Sequence, residues 1–258
     1  MIRRLGRFII GKIFDAFYAA GFFYLVVKDT LFFIRKKQVG FRVLVMQILF
    51  TGVEALTIIA VIAIALGAVI IIQGVSLLPR FGQGDLIYTI LITIITRELG
   101  PLLTAFIIIA RSGTAIATEL GNMVVSHEVE AYISVGINPI SYLVVPRFLG
   151  VTISLLILNL YFNIFGLIGS FFVTQLVHSV PLREYFGNLL IQYTPADIFS
   201  SLIKSLVFGI IISTVATFHG FKVNYATTEI PQKVIKAVSQ SFIYCFLADA
   251  VITLIYYL

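Results

Sequence analysis

The amino-acid sequence predicts an all-α membrane protein with an N-terminal interfacial helix, five transmembrane helices and a short cytoplasmic helix. Of its 258 residues, 60% are hydrophobic and only 12% are charged, and the mean hydropathy is +1.07. Soluble domains carry about a quarter charged residues. Apolar runs long enough to cross a bilayer recur along nearly the whole chain. We therefore expect a single membrane domain over residues 1–258.

The five predicted spans rest on apolar windows of about 20 residues or more, the length that a helix needs to cross a bilayer core of ~30 Å. We predict spans at 45–73, 87–118, 141–176, 197–219 and 237–257. Turn-rich loops are predicted between them at 74–84, 121–139, 177–195 and 220–236. The third window is interpreted as one long helix, because two full spans and a turn would need more residues.

The N-terminal segment, residues 1–40, mixes aromatic and aliphatic side chains with Arg, Lys and Asp. It is too polar to span the membrane, so we predict an amphipathic helix at the interface and a transmembrane bundle over 41–258. A helix packed on the bundle has the same pattern and stays open as an alternative. No cleaved signal peptide is expected, because Lys12 and Asp15 interrupt the apolar stretch.

The charge distribution predicts the orientation of the chain. Nine basic residues against Asp15 and Asp29 lie within residues 1–42, and the run Arg35, Lys36 and Lys37 marks the expected cytoplasmic edge. The positive-inside rule then places the N-terminus in the cytoplasm and, after five spans, the C-terminus on the opposite side. Basic residues beside apolar spans favour contact with anionic lipid headgroups, and no nucleic-acid partner is expected.

The features that would indicate an enzyme or a metal protein are weak. Cys245 is the single cysteine and the three histidines are far apart, so no metal site is expected. The segment 6–12 matches G-x-x-x-x-G-K, but Ile13 stands where a Mg²⁺-binding Ser or Thr belongs. We expect no catalysis and no cofactor bound by this chain.

Charged residues inside the predicted spans are candidates for function, because each costs about 2.5–3.5 kcal/mol at the bilayer centre. We predict one cross-helix network among Arg97, Glu98, Asp197 and Lys204. Neighbours in a helix diverge by about 100°, so Arg97 and Glu98 need different partners, whereas Asp197 and Lys204 share a face. The network either only fixes packing, or it forms a charged patch that meets a lipid phosphate or gates a cavity. Further ionisable residues in the spans are Glu54, Arg111, Glu119 and Asp249.

Three further patterns concern local structure. Ser126 as cap, Glu128 and Glu130 in a first turn and Gly136 as terminator predict a cytoplasmic helix of about two and a half turns. It is either a knob for a partner's groove, with Val129, Tyr132 and Ile133 beside the acids, or a loop helix lying on the membrane.

Small residues at four-residue spacing predict a close-packing face at Gly113, Ala117 and Gly121. Pro101 predicts a kink in the second span.

Several motifs resemble the MlaE permease family, the membrane subunits of ABC transporters that move phospholipids or other lipids together with MCE-domain proteins. The sequences that carry the resemblance are RELGPL at 97–102, ARSGTAIATELG at 110–121, GINPI at 136–140 and LVVPR at 143–147.

The resemblance implies a permease in the inner membrane that forms a homodimer and carries lipid. With this function we expect Arg97, Glu98, Asp197 and Lys204 to line or support a lipid cavity between the two permeases, in which Phe and Leu side chains hold acyl chains. It implies a separate cytoplasmic ATPase that binds the ATP, an MCE-domain protein on the outer side and a small STAS-type regulator. It also implies a coupling helix that contacts the ATPase through Ser126, His127, Glu128, Val129, Glu130, Ala131, Tyr132 and Ile133.

Two other functions stay open at the level of sequence. An ion-gradient-driven secondary transporter or channel would need no ATPase, and a scaffold subunit would keep its partners but move no lipid. A membrane-embedded enzyme is disfavoured, because no histidine dyad or acid pair at hydrolase spacing occurs in the sequence.

Overall fold

A computed structural model describes residues 2–32, 41–77, 86–177, 181–224 and 226–258. Within these ranges the regular structure is helical and no β-strand occurs, which confirms the all-α prediction. The α-helices are α1 (Ile2–Leu31), α2 (Phe41–Gly52), α3 (Leu56–Leu77), α4 (Leu86–Ile92), α5 (Gly100–Ile108), α6 (Thr114–Val125), α7 (Glu128–Ser134), α8 (Val145–Val177), α9 (Leu182–Gln192), α10 (Pro195–Phe221) and α11 (Ile230–Tyr257). Tighter 3₁₀ turns lie at Val53–Ala55 and Thr227–Glu229, and wider π-helical segments at Thr93–Leu99, Ile109–Gly113 and Ile140–Val144.

Five helical stretches are long and apolar enough to cross a membrane, which confirms the predicted number of spans. They are Phe41–Ser76, Leu86–Val125, Ile140–Leu176, Pro195–Phe221 and Thr227–Tyr257. The third is one continuous helical stretch, as predicted. The fifth begins at Thr227, ten residues before the predicted start at 237. The prediction was late because the first turns carry Gln232, Lys233 and Lys236 and resemble a polar loop in sequence.

The third span contacts the first, second and fourth spans. Its backbone touches that of the first span, since a Cβ built on Gly67 would lie 2.2 Å from the carbonyl oxygen of Gly166. Asn159 of the third span donates a hydrogen bond from Nδ2 to Ser201 Oγ of the fourth over 2.7 Å. Small residues and buried amides therefore allow a close approach of these helices.

The N-terminal helix α1 packs against the bundle along one face. Val26 is fully buried, and the ring of Phe22 lies 5.7 Å from that of Phe218 in the fourth span. Asp29 is also buried and accepts a 2.6 Å hydrogen bond from Ser141 Oγ. The location of α1 at the membrane interface stays a prediction. The basic run at 35–37, on which the predicted orientation partly rests, lies outside the described residues.

The predicted turn-rich loop at 177–195 is wrong over most of its length, because it contains the helix α9. Arg183, Glu184 and Asn188 give this short segment the composition of a loop, but one face of the helix is buried. Tyr185 on that face is fully buried, and its hydroxyl lies 2.6 Å from Ser170 Oγ. Burial raises the pKa of Tyr185 to about 12.

Candidate functional site

The second span changes its helical register just before Pro101. A π-helical segment, Thr93–Leu99, precedes the proline, whose missing N–H cannot complete an α-helical turn. Gly100 lies against the third span, and a Cβ there would be 2.4 Å from the Ile95 carbonyl oxygen and 2.8 Å from Asn163 Oδ1. A π-helical segment therefore precedes Pro101, the residue at which the sequence predicts a kink. This segment carries Arg97 and Glu98.

Lys204 forms the centre of the first charged group. Its side chain is 0% exposed, and its Nζ lies 2.7 Å from Glu98 Oε2, 2.9 Å from Asp249 Oδ1 and 2.7 Å from Thr253 Oγ1. The ammonium group thus has one oxygen neighbour for each of its three N–H donors. The group joins the second, fourth and fifth spans. Its net charge is −1 when all three ionisable side chains carry their charge.

Arg97 and Asp197 form a second charged group, at the start of the fourth span. Arg97 Nε lies 3.4 Å from Asp197 Oδ1, and Arg97 Nη2 donates to Thr93 Oγ1 over 2.9 Å. The guanidinium carbon lies 4.6 Å from the centre of the Tyr256 ring. Asp197 also accepts hydrogen bonds from the backbone and the hydroxyl of Thr194, which forms a capping box at the start of α10. Asp197 therefore both completes the capping box of α10 and neutralises Arg97.

The four charged residues predicted from sequence lie in two groups and not in one network. Within the described ranges, no ion pair joins the Arg97 group to the Lys204 group. The divergence of Arg97 and Glu98 is confirmed, because the two side chains contact different partners. The prediction missed the fifth span's contribution, although Asp249, Thr253 and Tyr256 follow the i, i+4, i+7 spacing of one helix face.

An apolar pocket of about 320 Å³ lies beside these groups, between the beginning of the fourth span and the end of the fifth. Isoleucines and Phe199 line it, where Phe and Leu were expected, and none of the four predicted charged residues does. Arg97 and Asp197 adjoin the pocket through Tyr256 and Ala196. The lining residues are Ala196, Phe199, Ser200, Ile203, Ile252, Ile255 and Tyr256.

The pocket contains one polar group without a partner in the described part of the chain. Ser200 Oγ is buried and makes no hydrogen bond there. A buried hydroxyl of this kind is stabilised when a ligand supplies a hydrogen-bonding atom. The pocket is also open, since Phe199 and Ile255 are each about two-thirds exposed.

The short helix α7 lies in the connection between the second and third spans and contains no buried residue. The predicted cap is wrong, because Ser126 belongs to the end of α6 and donates from Oγ to the Asn122 carbonyl oxygen over 2.9 Å. His127 occupies the cap position with a left-handed backbone, φ 60°. The helix has seven residues and is shorter than predicted.

The termination of α7 at Gly136 is confirmed. Gly136 has φ 78°, its N–H donates to the Ile133 carbonyl oxygen, and the N–H of Ile137 donates to that of Tyr132. This is the Schellman arrangement at a helix end. Val129 and Tyr132 are half-buried against the bundle, whereas Ile133 is 59% exposed. Of the three apolar residues predicted to form a knob, only Ile133 is fully available to a partner.

The small-residue face of the second span packs against the fourth and fifth spans. Cβ atoms built on Gly113 and Gly121 would lie 3.7 Å from Ile212 Cγ2 and 3.1 Å from Val223 Cγ2 respectively. The closest approach is at Gly220, where a Cβ would lie 2.7 Å from Leu120 Cβ and 3.2 Å from the Ala117 carbonyl oxygen. No cluster of His, Cys, Asp or Glu side chains suited to a metal ion occurs in the residues that the structure describes.

Comparison with known proteins identifies the family. The family described as Permease MlaE matches residues 44–255. A probable ABC transporter permease protein of Rickettsia prowazekii is 30% identical over 86% of each chain. The chloroplastic protein TRIGALACTOSYLDIACYLGLYCEROL 1 of Arabidopsis thaliana is 29% identical over 85% of this chain and 63% of its own length. The intermembrane phospholipid transport system permease protein MlaE of Haemophilus influenzae is 26% identical over 83% of each. The chain therefore belongs to the MlaE permease family.

Proposed function

We propose that this chain is the permease subunit of an ABC transporter that moves phospholipid or a related lipid across or out of the inner membrane. Membership of the MlaE permease family and the five apolar spans support this function. The observation that carries the proposal is an apolar pocket directly beside buried charges. Lipids combine these two chemistries in one molecule, an apolar chain and a charged headgroup.

The pocket and its charged neighbours suit the two ends of a lipid. Phe199, Ile203 and Ile255 would contact an acyl chain, and Ser200 Oγ would hydrogen-bond to an ester oxygen. Arg97 would supply positive charge near a phosphate. A second copy of the chain would cover the exposed pocket residues and complete the site between the two permeases.

The energy would come from a separate ATPase subunit through α7. Glu128, Glu130 and Ile133 are exposed and would face a groove on that subunit. Since α7 lies directly between the second and third spans, its displacement would reach the helix that carries Arg97 and Glu98. This arrangement requires a cytoplasmic N-terminus and a C-terminus on the opposite side. An MCE-domain protein would exchange lipid on that side, and a small STAS-type regulator would bind with the ATPase.

Charge reversal tests the site in the intact complex reconstituted into vesicles. Lys204→Glu and Glu98→Lys should each abolish ATP-driven transfer of a fluorescent phospholipid, because each leaves like charges together inside the bundle. Arg183→Glu, at an exposed position of α9, is the matched control, and this variant should transport normally. Membrane insertion is measured separately, by extraction and gel filtration. Normal transport in both core variants would contradict the proposed site.

The same vesicles discriminate the other functions. Lipid or solute movement driven by an ion gradient, without any ATPase subunit, would show a secondary transporter or channel. A complex that retains its partners and hydrolyses ATP but transfers no lipid would show a scaffold.

A further inference from the structure

A second ionic feature lies on the outside of the bundle, between the first and second spans. Arg111 Nη2 pairs with Glu54 Oε2 and also donates to the Phe50 carbonyl oxygen over 3.2 Å. The Glu54 side chain is 59% exposed, in contrast to the buried Lys204. Arg111 Nη1 is buried and makes no hydrogen bond within the described chain. The pair therefore keeps both an exposed carboxylate and an unused N–H donor.

Local helix geometry positions both members of the pair. Glu54 lies in the 3₁₀ turn Val53–Ala55, and Arg111 lies in the π-helical segment Ile109–Gly113. Irregular turns of these kinds within long helices are frequent at functional sites. Two of them meeting at one ion pair, on separate spans, indicate a site and not an isolated surface charge.

The pair lies at the depth of the lipid headgroups. Helix α3 begins just after Glu54 and has 22 residues, or about 33 Å of helix, enough to cross a ~30 Å apolar core on its own. In the second span, residues 86–108 precede Arg111 and are likewise long enough to cross the apolar core. Both charges thus lie at one boundary of the core, on the side of the membrane that carries α7.

An exposed apolar track runs from this pair into the membrane. Ile58 and Val61 follow Glu54 at i+4 and i+7, and both are substantially exposed. Phe50, whose ring centre lies 5.6 Å from Arg111 Cζ, flanks the pair on the headgroup side.

We propose that Glu54 and Arg111 bind the headgroup of a zwitterionic lipid of the adjacent leaflet. Arg111, whose side chain is 23% exposed, takes the phosphate. Glu54 takes the ammonium group, and the acyl chains lie along Ile58 and Val61. This site is separate from the pocket of the proposed function and requires only that the chain spans a membrane.

A photo-crosslinking experiment tests the site without any transport. The full complex, with p-benzoylphenylalanine at exposed Val53, is placed in nanodiscs of equal phosphatidylethanolamine and phosphatidylglycerol, and the adducts are identified by mass spectrometry. We expect about two- to fivefold enrichment of phosphatidylethanolamine, the range that an exposed charge pair supports. The same probe at Ile157, exposed on the third span, is the control and should give adducts in the bilayer ratio.

Two substitutions separate the roles of the charges. Glu54→Gln should reverse the preference towards phosphatidylglycerol, because an unopposed Arg111 favours the anionic headgroup. Arg111→Gln should lower the adducts of both lipids, because the phosphate that both carry loses its cation. It should keep the preference for phosphatidylethanolamine, since Glu54 still attracts the ammonium group and repels the anionic headgroup. Because the first result is a reversal and not a loss, misfolding cannot imitate it. Adducts at Val53 in the bilayer ratio, or cross-links mainly to a second copy or another protein, would overturn the proposal.

Discussion

Lys204 and α7 show two opposite ways of using charge in one membrane protein. Lys204 is 0% exposed, and the chain itself supplies oxygen atoms around its ammonium group. The acids of α7 and its Ile133 are exposed and have no covering element within the described residues. Lys204 is paired within the chain, whereas α7 presents exposed side chains on which the proposed ATPase contact depends. Substitutions in the first should therefore change stability as well as transport, whereas those in the second should change coupling only.

Lys204→Met should have the largest effect on the free energy of unfolding. It leaves the carboxylates of Glu98 and Asp249 together in the bundle without a cation, which costs about 3–5 kcal/mol for a broken buried pair. Denaturant unfolding in detergent measures this loss. Glu98→Gln and Asp249→Asn added to Lys204→Met should restore most of the stability, and no recovery would show that charge is not the cause.

Gly67→Ala tests whether backbone packing matters as much as charge inside the bundle. The added Cβ would lie 2.2 Å from the Gly166 carbonyl oxygen, so the first and third spans must separate. We expect a loss of about 1–3 kcal/mol, as for other overpacked interiors. Gly187→Ala on α9, where nothing lies within 4 Å, should instead stabilise by about 0.5–1 kcal/mol. Equal effects of the two substitutions would contradict the close approach.

Tyr185→Phe should have a smaller effect, which depends on pH. The variant loses the hydrogen bond with Ser170, worth about 1 kcal/mol. The pKa of Tyr185 is about 12 in the folded protein and 10.0 for an ordinary tyrosine, so the unfolded chain releases this proton first as pH rises. The free energy of unfolding of the unsubstituted protein should therefore fall between pH 10 and 12, and that of the Phe variant should fall less. Unfolding curves at pH 7 and 11 measure the difference.

Ile133→Asp should have the smallest effect on folding, within about 0.5 kcal/mol for a surface position. It should nevertheless abolish ATP-driven lipid transfer, because a charge replaces the exposed apolar side chain of α7. Ile191→Asp on α9, where Ile191 is even more exposed, is the control and should transport normally. Normal transfer in the Ile133 variant would remove α7 from the coupling mechanism.

The sequence predicts the spans well because long apolar runs have few alternatives to a transmembrane helix. It misses α9 and the first turns of α11, where Arg183, Glu184, Lys233 and Lys236 interrupt the apolar pattern. In these regions tertiary burial of one helix face, as at Tyr185, decides the structure.

The charged residues of the site are predictable as candidates, because charges within spans are rare and costly. Their pairing is not. It depends on the π-helical segment before Pro101, which sets the directions of Arg97 and Glu98, and on which spans pack together. Asp249 could have been paired with Lys204 only with knowledge that the fourth and fifth spans are neighbours.

The residues that flank α7 have a left-handed backbone, with φ 60° at His127 and φ 78° at Gly136, so the chain bends at both ends of the helix. For a residue with a side chain, such as His127, the left-handed region costs about 1–2 kcal/mol, so the bend is held by its surroundings. A seven-residue rod between two bends has little freedom to lengthen or unwind. Under the proposed function, a displacement of α7 by the ATPase subunit would therefore move both adjoining membrane helices together and tilt them jointly within the bilayer.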